Sequence, residues 1–281
     1  MLQDCVNVAG DFGEGKTDFM LRHSELLEPP LTCLSFDYDR GQRLYVVPDR
    51  SLAKPGELYY VRRIPAPSFY EVQFLLARIK DPKTPATQLK VAGRPVDANL
   101  ITRPEVRQAA NDIATGKLVV GSVLFDPITR LCEQVTNKVQ QEYIDKLGLA
   151  KAENMSQLIW ARVKDDISEL LYSVIELDLC LLSTSWSKPA YDKVARRSTD
   201  ELVADVMKNV PAFFELSLMI VPRIQPDGSR LFPPMAKVLK SRLRNLPRGR
   251  VLKELTWEQI HKLEPDFEAM APAEGTEEAE E

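Results

Sequence analysis

Histidine and cysteine are scarce in this 281-residue chain, and long hydrophobic runs are absent. With two histidines, His23 and His261, the composition does not favour a histidine-rich metal site. The four cysteines form no C-x-x-C pair, and Cys5, Cys33 and Cys180 fall in apolar, strand-like runs. We therefore expect reduced core thiols and a cytoplasmic location. No apolar run approaches the roughly 18–20 residues that span a bilayer, and no basic signal segment opens the chain, so no membrane association is expected.

Charge is distributed unevenly along the chain. The formal net charge is −4, but residues 272–281 carry five glutamates and no basic side chain. Such a segment has too little apolar surface to fold, so residues 266–281 are predicted to form a disordered acidic tail. Residues 223–250 hold eight Lys or Arg side chains against one acid, Asp227. This basic stretch is interpreted either as a solvated face or as a surface that meets phosphates.

Short apolar runs alternate with amphipathic segments along most of the sequence. Residues 68–80 open with an S-x-x-E capping box and keep one apolar face, which predicts a helix. Two strands, at 215–221 and 230–240, are predicted to flank a P-D-G turn. The alternation predicts an α/β fold with a mostly parallel central sheet, helices on both faces and a C-terminal antiparallel strand pair. One domain over residues 1–265 is expected, with residues 81–103 as a mobile loop or insertion.

The segment "NVAGDFGEGKTDF", residues 7–19, contains the spacing G-x-x-x-x-G-K-T. Phosphates require several N–H donors at close range, which a glycine-rich loop leading into a helix provides. Here an apolar run precedes the loop and a helical pattern follows it. Lys16 is expected to reach the β- and γ-phosphates of a nucleotide, and the Thr17 hydroxyl to bind magnesium. This context favours a phosphate-binding loop over a structural glycine turn.

The predicted cofactors are ATP and Mg²⁺. The predicted nucleotide-binding residues are Gly10, Asp11, Phe12, Gly13, Glu14, Gly15, Lys16, Thr17 and Asp18. Thr17 and Asp126 are predicted to bind the magnesium ion, since Asp126 closes the apolar run 118–125; its alternative role is a helix N-cap. A second carboxylate must polarise the attacking water. Asp37 and Asp39 both follow the second strand and remain alternatives for this role, with ordinary turn chemistry before Gly41 as the other interpretation.

These motifs resemble the RecA-like recombinase core, and within it the phage-encoded RecA-like ATPases of single-strand annealing and recombination. The resemblance extends over about residues 5–245 and is specific at its motifs. The loop 10–17 matches the Walker A motif, and "VLFDPIT" resembles the Walker B strand with Asp126 as its acid. "FDYD" resembles the family's acidic motif, which implies Asp39 as the catalytic carboxylate.

Two further segments share this resemblance. "LLSTSW", residues 181–186, resembles the strand whose polar end senses the γ-phosphate. "KVLKSRLRNLP", residues 237–247, resembles the strand whose two basic residues reach ATP across a subunit interface, which implies that role for Lys240 and Arg242. The resemblance thus implies a homo-oligomer, either a ring or a short filament.

The activity implied by the resemblance is ATP hydrolysis coupled to single-stranded DNA during phage-type recombination, annealing or replication, in the host cytoplasm. A single-strand-binding protein is a further expected partner. Candidate base-stacking aromatics are Tyr59, Tyr60, Trp186 and Tyr191, with packing as their alternative role. Two other functions fit the same loop: a P-loop kinase of a small molecule, and a scaffold that binds ATP with negligible turnover.

Overall fold

The computed structural model describes residues 4–11, 13–28, 30–44, 61–91, 94–95, 97–192 and 196–263. The strands in these residues are β1 (Cys5–Gly10), β2 (Leu31–Asp37), β3 (Val61–Pro65), β4 (Lys90–Val91), β5 (Arg94–Pro95), β6 (Val119–Asp126), β7 (Cys180–Asp192), β8 (Arg197–Ala204), β9 (Leu216–Ile224), β10 (Arg230–Ser241) and β11 (Val251–Leu252). The α-helices are α1 (Lys16–Leu21), α2 (Phe69–Lys80), α3 (Pro104–Ala114), α4 (Ile128–Leu147), α5 (Leu149–Asn154), α6 (Ser156–Ile175) and α7 (Trp257–Leu263).

The described strands build one central sheet in the order β11-β10-β9-β1-β7-β6-β2-β3, with β8 paired to the far end of β7. Strand β1 is parallel to β7 on one side and to β9 on the other. Strands β7, β6, β2 and β3 continue the parallel part. Strand β10 runs antiparallel to both β9 and β11. The predicted α/β architecture, with a mostly parallel sheet and a C-terminal antiparallel pair, is confirmed.

Each face of the sheet carries its own apolar core, because successive residues of a strand point to opposite faces. On β6, Val123 and Phe125 pack into a core that includes α2, α3, α4 and α6, whereas Leu124 packs on the other side with α1 and α7. Phe125 lies against Phe36 of β2, with 5.3 Å between ring centroids. Helices therefore flank both faces, as the sequence predicts. Within the described residues, no helix is long and apolar enough to cross a bilayer.

Two elements differ in length from what the sequence indicates. The helical pattern that follows the glycine loop is α-helical as far as Leu21 and continues as a 3₁₀ turn over Arg22–Leu26. The strand that contains residues 181–186 begins at Cys180 and continues to Asp192, where it forms a hairpin with β8. The outer part of this hairpin is mostly exposed or half-buried. Its sequence therefore lacks the alternation of apolar and polar residues that predicts a strand.

The segment predicted as a mobile loop or insertion, residues 81–103, is irregular in its described part. It holds short 3₁₀ turns and the β4–β5 pair. Leu89 and Ile101 are nonetheless buried in the core beside α2 and α3. These two side chains anchor the segment to the domain.

Helix α2 begins at the capping box that the sequence predicts. The Ser68 hydroxyl accepts the N–H of Glu71 at 3.3 Å, and the Glu71 carboxylate accepts the N–H of Ser68 at 2.9 Å. The same carboxylate accepts the backbone N–H and the guanidinium Nε–H of Arg103, each at 3.1 Å, which joins α2 to the start of α3. Glu71 is 1% exposed, so water cannot replace these hydrogen bonds.

Substitution of Glu71 by alanine is expected to lower the free energy of unfolding by about 2–4 kcal/mol, because a helix cap and the partner of Arg103 are lost together. The matched control is Glu105→Ala in the exposed first turn of α3, which is expected to cost less than about 0.5 kcal/mol. Urea unfolding followed by circular dichroism measures both. Equal midpoints for the two variants would contradict the expectation.

Candidate functional site

A cleft of about 540 Å³ opens at the carboxyl-terminal edge of the parallel strands, beside the loop that follows β1. Residues distant in sequence meet there because parallel strands end at the same edge of the sheet. The lining residues are Gly13, Glu14, Gly15, Lys16, Thr17, Asp18, Asp39, Gly41, Asp126, Pro127, Thr184, Trp186 and Phe232. The cleft therefore brings together Lys16, Thr17, Asp39 and Asp126, four of the residues predicted to carry the chemistry.

Glycines and strand β10 shape the loop between β1 and α1. Gly13 and Gly15 have φ values of +77° and +86°, which side chains with a Cβ rarely adopt. A Cβ on Gly15 would also lie 2.9 Å from Cε1 of Phe232. Arg230, two residues earlier on β10, donates from its guanidinium to the carbonyl of Gly13 at 2.9 Å. The β9–β10 hairpin thus contacts the loop at two points.

Lys16 turns its side chain back into the loop. Its Nζ donates to the carbonyl oxygens of Gly10 at 2.9 Å and Asp11 at 2.5 Å. Burial lowers the pKa of Lys16, while the acidic neighbours, Glu14 first and then Asp126, oppose that shift. An ammonium group in this position can pair with an anionic group that enters the cleft.

Glu14 holds a carboxylate inside the same loop. Its Oε2 accepts the N–H of Asp11 at 2.6 Å and leaves no room for a Cβ on Gly10. Burial raises the pKa of Glu14, and the hydrogen bond from Asp11 with the charges of Lys16 and Arg230 partly offsets this. The Glu14 carboxylate therefore occupies a backbone N–H donor of the same loop.

Asp126 is the most connected polar group of the cleft. Its Oδ1 accepts the hydroxyl of Thr17 at 3.2 Å and, in a short hydrogen bond, the hydroxyl of Thr184. Its Oδ2 accepts the side-chain amide of Gln42 at 2.9 Å. Burial raises the pKa of Asp126, and the three donors oppose the shift. A threonine hydroxyl beside a carboxylate is an all-oxygen donor set, the kind that Mg²⁺ prefers.

Gln42 and Thr129 are site-forming residues that sequence reasoning missed. Gln42 is fully buried and accepts the hydroxyl of Ser35 at 2.8 Å while it donates to Asp126. Thr129, the second residue of α4, accepts the backbone N–H of Trp186 at 3.2 Å and donates to the carbonyl of Asp205. Neither residue belongs to a recognisable spacing, so only the three-dimensional arrangement reveals them.

The two alternative carboxylates, Asp37 and Asp39, lie in different surroundings. Asp37 is fully buried, and its Oδ2 accepts Arg63 Nε–H at 2.6 Å and the N–H of Gln42 at 3.3 Å. Asp39 lies on the cleft wall with its side chain 27% exposed, and its Oδ1 is 3.7 Å from Nε of Arg130. Of the two, Asp39 has access to a ligand in the cleft.

An arginine and an aromatic ring complete the wall beside Asp39. The guanidinium carbon of Arg130 lies 4.5 Å from the ring centroid of Trp186, a cation–π distance. Arg130 also pairs with Glu133 at 2.8 Å. Of the candidate stacking aromatics, Trp186 therefore lines the cleft, whereas Tyr191 is 62% exposed further along β7.

Lys240 and Arg242 lie at the opposite edge of the sheet from the cleft. Lys240 is level with Ser217, near the start of β9, whereas the glycine loop follows the other end of the parallel strand β1. Lys240 Nζ donates to the carbonyls of Pro211 and Phe214, the latter at 2.7 Å, and Arg242 donates to the carbonyl of Ala212 at 3.1 Å. Both side chains hold the 3₁₀ turn 210–213 of their own chain. A role across a subunit interface stays a prediction.

Strand β10, which belongs to the basic stretch 223–250, runs from the edge of the sheet beside the cleft to the opposite edge. The basic side chains before and after it therefore lie at different edges. Arg230 contacts the glycine loop, while Arg250 donates to the carbonyl of Asn245 at 2.5 Å near the other edge. The described part of the stretch thus does not form one continuous groove. Phe12, Tyr59, Tyr60 and the acidic tail lie outside the described residues.

Fold and site together define an α/β protein with a polar cleft at the carboxyl edge of a parallel sheet. Comparison with known protein families finds no match. The "Ergothioneine biosynthesis protein 1" of Neurospora crassa is 26% identical to this chain over 184 residues, 62% of the chain. The match covers 20% of that relative, so the chain corresponds to about one fifth of its length.

Replacing Lys240 by methionine is expected to lower the free energy of unfolding by about 1–2 kcal/mol, because two carbonyls lose a charged donor. Lys237→Met, at an exposed position of the same strand, is the control and is expected to change stability by less than about 0.5 kcal/mol. Urea unfolding of both variants measures the difference. An unfolding curve of Lys240→Met that matches the wild type would contradict the intrachain role.

Proposed function

We propose that this chain is a magnesium-dependent ATPase of the RecA-like P-loop class. The observation that carries the proposal is the convergence of Lys16, Thr17 and Asp126 on one cleft. Two of them come from the glycine loop after β1, and the third ends β6, which is separated from β1 by β7. A lysine, a hydroxyl and a carboxylate at a strand end are the groups that binding a nucleoside triphosphate with magnesium requires.

Phosphate binding is assigned to the loop and Lys16. Because Nζ of Lys16 is already held at the centre of the loop, a small rotation away from the carbonyls of Gly10 and Asp11 directs it into the cleft. Arg230 fixes the loop from outside through Gly13. The positive charge of Lys16 then offsets the negative charge of the β- and γ-phosphates.

Magnesium fits the donor set of Thr17 and Asp126. The Thr17 hydroxyl and Asp126 Oδ1 are 3.2 Å apart, so both oxygens can serve one small cation or a water molecule bound to it. Such an ion polarises the phosphoryl oxygens and neutralises the charge that develops during transfer. Thr184 and Gln42 hold the Asp126 carboxylate in its orientation.

Asp39 is proposed to orient and deprotonate the attacking water. It lies on the cleft wall, whereas Asp37 is engaged by Arg63 and fully buried. Nε of Arg130 lies 3.7 Å from Oδ1 of Asp39 and helps to hold this carboxylate on the cleft wall. Thr184, on β7 just beyond the residues that pair with β6, is proposed as the hydroxyl that contacts the γ-phosphate.

A second groove, of about 470 Å³, offers a position for the nucleotide base. It shares Gly15, Asp18 and Phe232 with the cleft, so the two are adjacent. Its other walls include Pro234 and Leu255. Phe232 is 60% exposed and can stack on a purine ring, an arrangement that stabilises bound bases.

Action on single-stranded DNA and assembly into a ring or filament remain part of the proposal through the sequence resemblance. The division of the basic stretch between two edges supports two separate phosphate contacts rather than one groove. The alternatives are a small-molecule kinase and an ATP-binding scaffold. The Neurospora relative is named for ergothioneine biosynthesis, and the proposal rests on the cleft rather than on that partial match.

The test is phosphate release from ATP by the purified full-length chain, with and without Mg²⁺ and with and without single-stranded DNA. Lys16→Ala is expected to lower kcat/KM at least about 100-fold, because a charged donor to the phosphates is lost. Asp39→Asn is expected to keep nucleotide affinity, measured with a fluorescent ATP analogue, and to lower kcat about 10²–10⁴-fold. The matched controls are Lys146→Ala and Asp145→Asn, at exposed positions of α4.

Each alternative gives a distinct result. Wild-type turnover by Lys16→Ala with an unchanged melting curve would reject the P-loop assignment. Nucleotide binding without hydrolysis supports the scaffold, and phosphate transfer to a small molecule supports the kinase. DNA stimulation of hydrolysis supports the recombination-type activity.

Glu14→Gln is expected to tighten nucleotide binding about fivefold to tenfold, since a carboxylate in the loop repels the phosphates by about 1 kcal/mol. The pKa of Glu14 is raised, so lowering the pH towards it neutralises the carboxylate and tightens binding by the wild type. Asp11, Lys16 and Arg230 face this group. Titrations of the fluorescent analogue at several pH values compare both proteins. The gap between them should close at low pH; a gap independent of pH would contradict the repulsion.

A further inference from the structure

Both histidines of the chain contact a single carboxylate, at the edge of the sheet opposite the cleft. His23 Nε2 lies 3.1 Å from Asp4 Oδ2, and His261 Nε2 lies 3.5 Å from the same oxygen. The ligand atoms of Asp4, His23 and Cys180 all lie within 4.8 Å of one another. The composition did not favour a histidine-rich metal site, but folding brings two histidines, a thiol and a carboxylate together from residues 4 to 261.

We propose that Asp4, His23, Cys180 and His261 form a Zn²⁺ site. These four residues are called the Asp4 cluster below. Zinc takes imidazole nitrogen, thiolate sulfur and carboxylate oxygen, usually four in tetrahedral geometry. With bonds of about 2.0–2.3 Å, neighbouring ligand atoms of a tetrahedron lie about 3.3–3.7 Å apart. Both histidine–carboxylate distances, 3.1 and 3.5 Å, are close to that value. The Cys180 sulfur, which lies within 4.8 Å of the Asp4 and His23 ligand atoms, and the His261 ring move inward to complete the tetrahedron.

The surroundings hold the two imidazoles in position. His23 lies edge-on to the ring of Trp257, with 4.8 Å between ring centroids, and His261 lies 6.0 Å from the same ring. The indole of Trp257 is itself fixed, since its Nε1–H donates to the carbonyl of Phe19 at 2.8 Å. Nδ1 of His23 is buried and makes no hydrogen bond to the described residues, so Asp4 and the Trp257 ring are the contacts that position this imidazole.

The ligands come from four separate elements. Asp4 precedes β1, Cys180 opens β7, His23 lies in the 3₁₀ turn after α1, and His261 lies in α7. Four protein ligands leave no open position, which is typical of a structural rather than a catalytic zinc. Binding converts the Cys180 thiol to a thiolate and releases one proton to solvent, so the thiolate and carboxylate balance the charge of Zn²⁺. The ion would link α7 to the amino-terminal ends of β1 and β7.

This site is separate from the magnesium position of the proposed function. Asp4 and Cys180 lie at the amino-terminal ends of β1 and β7, while Thr17 and Asp126 lie at the carboxyl edge. Six residues of β1 span about 20 Å between the two edges. The inference therefore does not depend on nucleotide binding.

The test measures zinc binding by the full-length chain after removal of metal with a chelator. Zn²⁺ is titrated in competition with a chromophoric zinc chelator, and one ion per chain with a Kd below about 1 μM is expected. His261→Ala should weaken binding at least about tenfold, because one of four ligands is lost. His261 is 46% exposed, so this variant is expected to fold, which circular dichroism checks.

Cobalt gives a second readout that a hydrogen-bonded cluster without metal would not produce. Co²⁺ added to the chain should give the absorption of a tetrahedral site with a thiolate-to-metal charge-transfer band, and Cys180→Ser should remove that band. The controls are Cys132→Ser, a buried thiol in α4, and Glu258→Gln, an exposed carboxyl on α7; both should bind zinc as the wild type does. Asp126→Asn should also keep zinc binding, which separates this site from the cleft.

Two results would overturn the proposal. One is the absence of stoichiometric zinc binding below about 1 μM by the folded wild type. The other is equal zinc affinity in the wild type, His261→Ala and Cys180→Ser, which would assign the ion to another position. A wild-type chain that binds zinc but does not hydrolyse ATP would reject the proposed function and leave the zinc proposal standing.

Discussion

The buried carboxylate of Asp126 is the group on which the arrangement of the cleft depends. It accepts hydrogen bonds from Thr17 and Gln42, which follow β1 and β2, and from Thr184, which lies within β7. A carboxylate with 5% exposure is costly unless several donors surround it. The three donors are therefore held at fixed distances from one another, so the loop, the strand ends and the cleft wall form one rigid polar unit.

Much of the fold is predictable because the sequence patterns that determine its helices, strands and turns are local. The capping box at Ser68 and Glu71, the apolar runs that end at Gly10 and Asp126, and the P-D-G turn each act over a few residues. That Lys16 and Thr17 lie beside the cleft was predictable for the same reason, since they follow a local glycine spacing after an apolar strand. The β7–β8 hairpin was not, because its strands are mostly exposed or half-buried and lack an apolar period.

The rest of the site depends on contacts across long stretches of chain. Thr17 and Asp126 are 109 residues apart, Gln42 and Asp126 are 84 apart, and Gly13 and Arg230 are 217 apart. A sequence does not reveal which Gln or Arg such contacts recruit. The sequence could name Asp37 and Asp39 as alternatives, but their difference arises from Arg63, which neutralises one of them inside the core. The Asp4 cluster was hidden for the same reason, because its residues share no spacing.

The position of β1 in the sheet has a consequence for synthesis of the protein on the ribosome. This strand leaves the ribosome before its partners in the sheet, which are residues 181–186 of β7 and 216–219 of β9. The backbone groups on one side of β1 therefore remain unpaired until β7, about 175 residues further along the chain, has been made, and those on the other side until β9, about 210 residues further along. Pairing over such separations is slow, and an apolar strand that waits for its partners is open to wrong associations. The glycine loop can acquire its shape only when β10 has emerged as well, so a truncated nascent chain carries the motif without the site.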